Sequence, residues 1–178
     1  MEVRPLTGEG RPDVRRFAIF STSLVAALLL ALLPAAGVAG QPHTFVAPLS
    51  GAEEVPPVDT LARGQAVFQV AADGESIHYR LIVANLENVT MAHIHLAPVG
   101  ANGPVVVWLY PDGPPPQLIQ GRFSGVLATG TITAANLVGP LDGAETLEDL
   151  VDLMMAGDTY VNVHTSQYPA GEIRGQIR

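Results

Sequence analysis

The chain has 178 residues, a formal net charge of −8, nine basic side chains and no cysteine. All nine are arginines and acids outnumber them, so there is no basic footprint for a phosphate backbone, which argues against a nucleic-acid partner. Without cysteine there is no disulfide framework, thiolate nucleophile or sulfur-ligated metal, and the fold must rest on packing and ladder hydrogen bonds.

In chain order, Arg11, Arg15 and Arg16 come first, followed by an apolar stretch from Phe17 to Leu33 interrupted only by Ser21-Thr22-Ser23. Pro34 and the small residues Ala35-Ala36-Gly37-Val38-Ala39-Gly40 close it. A positive flank, an apolar segment and a small-residue exit describe a secretory signal cleaved after Ala39, with small side chains at Gly37 and Ala39. A membrane anchor would need about 20 apolar residues, and Pro34 ends the segment early. The expectation is a signal over residues 1–39 and one domain over 40–178. That domain would be secreted or periplasmic, with an unknown partner there and membrane contact only through an uncleaved signal.

Beyond residue 40 the pattern changes to short runs of period two, punctuated by glycine and proline. Strands are expected at His43–Leu49, Gly64–Ala71, Ser76–Ala84, Val89–Leu96, Pro104–Tyr110, Phe123–Thr133, Thr159–His164 and Glu172–Ile177. Asp73-Gly74, the run Val99–Pro104 and the run Pro111–Pro116 supply turns between them. Eight short strands at this spacing predict an all-β, antiparallel Greek-key β-sandwich, immunoglobulin-like or superoxide-dismutase-like. One segment, Thr146–Met155, has apolar residues at helical spacing, with Thr146 as N-cap and Gly157 as stop, so one short helix is expected there. The acids between Asp142 and Asp158 do not match an EF-hand spacing and suit the wet face of that helix. Glu53-Glu54-Val55-Pro56-Pro57-Val58 reads as a stiff connector between strands. Asn88-Val89-Thr90 is a glycosylation sequon, meaningful only in a eukaryotic secretory pathway.

Two alternating segments carry the candidate chemistry. In Ala92-His93-Ile94-His95-Leu96 the two histidines share one face of a strand, and two imidazoles so placed can grip one metal ion. In Tyr160-Val161-Asn162-Val163-His164-Thr165, Asn162 and His164 share a face. If the two strands are neighbours, in register and facing the same side, His93, His95 and His164 form a three-imidazole site for copper or zinc. Glu172, Arg174 and Gln176 share a face of the last strand. Beside the histidines, Arg174 would attract an anion, with Asn162 and Glu172 as supporting residues; remote from them it would pair with Glu172 at the surface. No Ser-His-Asp order, phosphate loop or nucleophile elbow is present, so no catalytic residue is assigned.

These pieces together resemble the CHRD domain, the repeat unit of chordin. The matching blocks are Phe45–Gly51 with Glu54–Val58, Gly64–Ala66, Ile77–Leu81, Met91–His95, Gly100–Val107, Tyr160–Thr165 and Tyr168–Gln176, in one order over nearly the whole chain after the signal. The resemblance implies an extracytoplasmic β-rich module without a settled activity, serving a binding or structural role. A looser similarity to Cu/Zn superoxide dismutase rests on His93, His95 and His164 alone, and it implies a copper-dependent redox enzyme as the alternative. The similarity lacks a bridging histidine between His95 and His164, a zinc subsite and a disulfide.

Overall fold

The structure, a computed structural model, describes residues 43–144 and 146–178. The expected signal at residues 1–39 lies outside the described residues. Seven strands run in chain order: β1 (Thr44–Ser50), β2 (Arg63–Val70), β3 (Ile77–Leu96), β4 (Val105–Tyr110), β5 (Ile119–Ile132), β6 (Thr159–Thr165) and β7 (Ile173–Gln176). One helix, α1 (Glu148–Ala156), precedes β6.

All seven strands belong to one antiparallel sheet. Neighbours follow the order β2-β1-β7-β6-β3-β4, β5 pairs with β3, and a further β2–β3 pairing closes β1, β2, β3, β6 and β7 into a ring. The mostly β, antiparallel architecture with one helix is as expected. Two separate facing sheets are not what the pairing forms, because one 20-residue strand runs through both halves of the molecule. The segments expected as separate strands, Ser76–Ala84 and Val89–Leu96, are the two ends of β3.

What joins those ends is a pair of asparagines in the left-handed region, Asn85 at φ 60° and Asn88 at φ 54°. Asparagine tolerates that conformation better than most residues with a Cβ. The pairing of β3 with β5 shifts register on both sides of Leu86 and Glu87. The buried apolar residues are odd-numbered before Asn85 (Ile77, Leu81, Val83), then fall at intervals of three through Leu86 and Val89, and end on even numbers (Ala92, Ile94), the last change coinciding with a further register shift against β6 between Val89 and Met91. A slip of one residue exchanges the two faces of a strand. The irregularities therefore turn His93 and His95 away from the apolar core, on positions that uninterrupted alternation would have pointed into it.

The core itself gathers Phe68, Ile77, Leu81, Ile94, Val161, Val163 and Ile173, all at 0 % exposure. Leu150 and Met154 of α1 pack against it. The helix lies between the expected cap and stop, with its own cap one residue later than Thr146. Leu147 occupies the cap position, and Thr146 Oγ1 accepts only a 3.4 Å bond from the Glu148 N–H. It ends as expected at Gly157, φ +75°, whose N–H reaches the Leu153 and Met154 carbonyls.

Candidate metal centre

The faces of β3, β6 and β7 opposite the core form a polar layer. Pairing sets Met91 against His164, His93 against Asn162 and His95 against Tyr160, and on the other side of β6 it sets Asn162 against Arg174. Adjacency, register and facing, the three conditions that the histidine reading required, hold together. The ring centroids of His93, His95 and His164 are 5.0 to 6.0 Å apart. One ligand nitrogen from each lies within 4.8 Å of the others.

The layer faces away from the core yet is dry, with His93 at 2 %, His95 at 9 % and His164 at 5 % exposure. Loops between the strands make the roof. His95 Nδ1–H donates to the Gly103 carbonyl at 2.9 Å, and His164 Nδ1–H donates to the Pro169 carbonyl at 3.0 Å. Since a neutral imidazole has one N–H and one lone pair, each of these bonds leaves the lone pair on Nε2. The same device, a carbonyl on the far nitrogen, orients histidines that ligate metals. Gly103 is required in that place, because a Cβ there would collide with the Leu96 carbonyl.

His93 Nδ1 lies 3.2 Å from His164 Nε2. As His164 Nε2 carries a lone pair, His93 donates across that gap. The Nε2 atoms of His93 and His95 are buried without any hydrogen-bond partner. Buried polar atoms without partners are costly and uncommon. Three imidazole nitrogens converging without enough protons between them suit a cation. Protonation answers that need poorly: burial and mutual repulsion push the His93 pKa down to about 3 and, against its Pro169 hydrogen bond, that of His164 to about 4. Burial also lowers His95, and the Arg174 charge acts in the same direction.

The remaining residues named from the sequence lie in the same layer. Arg174, 2 % exposed, donates to the Ala101 carbonyl at 2.8 Å, to Asn102 Oδ1 at 3.1 Å and to the Pro98 carbonyl at 3.5 Å. Its guanidinium carbon sits 3.4 Å from the Tyr160 ring centroid. Tyr160 in turn stacks on His95, 4.8 Å away at an 11° interplanar angle. Arg174 and Glu172 are not the surface pair that a remote strand would have formed. Glu172 is 5 % exposed and accepts bonds from the Thr60 and Thr165 hydroxyls, both at 2.8 Å. Asn162 Nδ2 donates to both carboxylate oxygens of Glu54, at 2.8 and 3.0 Å, while its own Oδ1 is buried and unpartnered.

Glu54 went unnoticed as a site residue, since the stretch containing it reads as a connector. It is 6 % exposed beneath that connector. Burial, opposed by Arg174 and by the Asn162 hydrogen bond, raises its pKa to about 7. Trp108 was also missed; it pairs with His93 and stands edge-on to its ring at 4.2 Å. Nothing local separates Glu54 from Glu53, and only the strand register reveals Trp108.

Against known families, a CHRD domain model matches residues 45–177. The chain belongs to the CHRD domain family. A search of the curated proteins finds no match, and a search of the solved structures finds none. The matched span contains all three histidines, so the site is built within the CHRD domain itself.

Proposed function

We propose that this protein is an exported CHRD module that binds one transition-metal ion, copper or zinc, through His93, His95 and His164. The observation that carries the reading is the convergence of three buried imidazoles, two of them with unpartnered Nε2 atoms, and with the Nδ1–H groups of His95 and His164 anchored on backbone carbonyls. Nitrogen ligands at roughly 2.0–2.1 Å would enclose such an ion after small ring movements. To admit an ion at the His164 lone pair, His93 would have to carry its proton on Nε2 instead of Nδ1, which would leave the Nδ1 lone pair facing His164 Nε2. Asn162, Arg174 and Glu172 then act as the surrounding shell: Arg174 and Asn162 tie the roofing segments at residues 98–102 and at Glu54 to the strands, and Glu172 holds Thr60 and Thr165. The module's role is binding or structural rather than catalytic, and its arginine-flanked apolar N-terminus supports an extracytoplasmic location.

Elemental analysis of protein purified without a histidine tag tests the reading, with one equivalent of metal expected. His95→Ala should abolish stoichiometric uptake, whereas Arg174→Ala should retain it. Equal uptake by the parent chain and His95→Ala would overturn the assignment. N-terminal sequencing is expected to begin near Gly40, and Met1 retained on membrane-bound protein would sink the export reading.

A further inference from the structure

We propose that the three-histidine site is selective for monovalent copper, Cu(I), over divalent ions. This deepens the metal-binding reading and rests on it. The donor set decides the matter first. The cluster contains three neutral imidazoles and, among the described residues, no carboxylate within it; the chain has no thiolate to offer. The two carboxylates of the layer are committed elsewhere, Glu54 to Asn162 and Glu172 to two threonine hydroxyls. No direct anionic ligand neutralises the charge that an ion brings in.

Imidazole accepts copper and zinc alike, so the nitrogen donors alone do not choose between them. Charge does. The cost of moving an ion out of water grows with the square of its charge, so a dication costs about four times as much as a monocation of the same size. Here all three ligands are at most 9 % exposed, and aromatic rings flank them, Trp108 against His93 and Tyr160 against His95. On the far side of Tyr160 lies the Arg174 guanidinium, a fixed positive charge that penalises a second positive charge in the layer. Coordination number points the same way. Zinc in proteins takes four ligands, so three histidines would leave it dependent on water in a dry pocket. Cu(I), a closed-shell ion, is content with three nitrogens.

The experiment is an anaerobic competition titration of the untagged full chain. Cu(I) is presented against bicinchoninate, and Cu(II) and Zn(II) against matched chelators in the same buffer. One Cu(I) per chain is expected, bound at least tenfold more tightly than Cu(II) or Zn(II). Equal or tighter binding of either dication overturns the selectivity while leaving the three-histidine site standing. Uptake of no metal overturns the site itself. Asn162→Asp, which sets an anion beside His93, should lower the Cu(I) to Cu(II) affinity ratio at least tenfold, about 59 mV downward for a one-electron couple. Because a second carboxylate next to Glu54 strains the fold, Arg174→Gln is the companion variant. It removes the cation, keeps an amide donor for the loop carbonyls and should shift the ratio the same way. A ratio unchanged in the folded variants overturns the charge argument.

Discussion

The two ends of β3 are one strand with opposite designs. From Ile77 to Ala84 the strand alternates, with His78, Arg80 and Ile82 exposed and Ile77, Leu81 and Val83 buried. From Ala92 to His95 every residue is buried, the even positions against apolar core and the odd ones under the loop roof. His78 on the first half makes one exposed bond to Thr131 Oγ1, at 2.9 Å. His93 and His95 on the second half have lost water and gained, in part, no partner. The same residue type on the same strand is thus a surface side chain in one half and a candidate ligand in the other. What separates them is the covering of the noncore face by the segments that carry Glu54, Gly103 and Pro169.

Acid should break the second half first, and it is the largest effect expected. In the metal-free protein the unfolded histidines take protons near 6.5, whereas folded His93 and His164 refuse them until about 3 and 4. Between those values the unfolded state binds more protons, so stability is present above pH 6.5 and lost as pH falls. Glu54 opposes this in part. Its folded carboxyl binds a proton at about 7, above the ordinary 4.5, so its protonation favours the fold as pH drops through that window. Two strongly shifted imidazoles, with His95 shifted the same way, outweigh one carboxyl. Thermal melts from pH 7 to pH 4 should therefore show a falling Tm; a flat or rising profile would be incompatible with buried neutral rings.

Next in size is the contrast in packing. Ile94→Ala, on the doubly covered half and 0 % exposed, should cost about 3 kcal/mol through lost burial and a cavity. Ile82→Ala, 40 % exposed on the open half, should stay within about 0.5 kcal/mol. Chemical denaturation measures both, and similar losses would erase the distinction between the halves.

The junction offers a smaller lever. Asn85 holds φ 60°, so Asn85→Val should be less stable than Asn85→Gly by about 1–2 kcal/mol. Equal stability would show that the left-handed residue is not what the bend requires. The smallest effect belongs to His78→Ala, which should change stability by less than about 0.5 kcal/mol and leave metal uptake intact. A loss of metal there would place a ligand on the wrong half.

Several features were legible without coordinates. Two-residue spacing places His93 with His95 and Asn162 with His164, because a strand's faces alternate whatever surrounds it. The change to helical spacing after Thr146 and the stop at Gly157 are local in the same sense. The cap of α1 was placed one residue early, on Thr146, while the chain uses Leu147 and takes only a long bond from that hydroxyl. The break between two expected strands was misjudged because Asn85-Leu86-Glu87-Asn88 has the composition of a turn. Its asparagines instead adopt left-handed conformations inside a continuous strand.

By itself, then, the order of residues determined the alternation of each strand, the family, the absence of sulfur ligands and the identity of three candidate nitrogens. Those follow from neighbours along the chain and from composition. Tertiary structure alone decided that β3 and β6 are adjacent, and that the register shifts between Val83 and Met91, taken together, turn the histidines from the core. It also decided that carbonyls of Gly103 and Pro169 select Nε2 as the free atom. The pair His93–His164 is 71 positions apart and the pair Glu54–Asn162 is 108 apart. Period two says which side chains travel together on one strand. Only closure of the ring says which strand they meet and whether water remains between them.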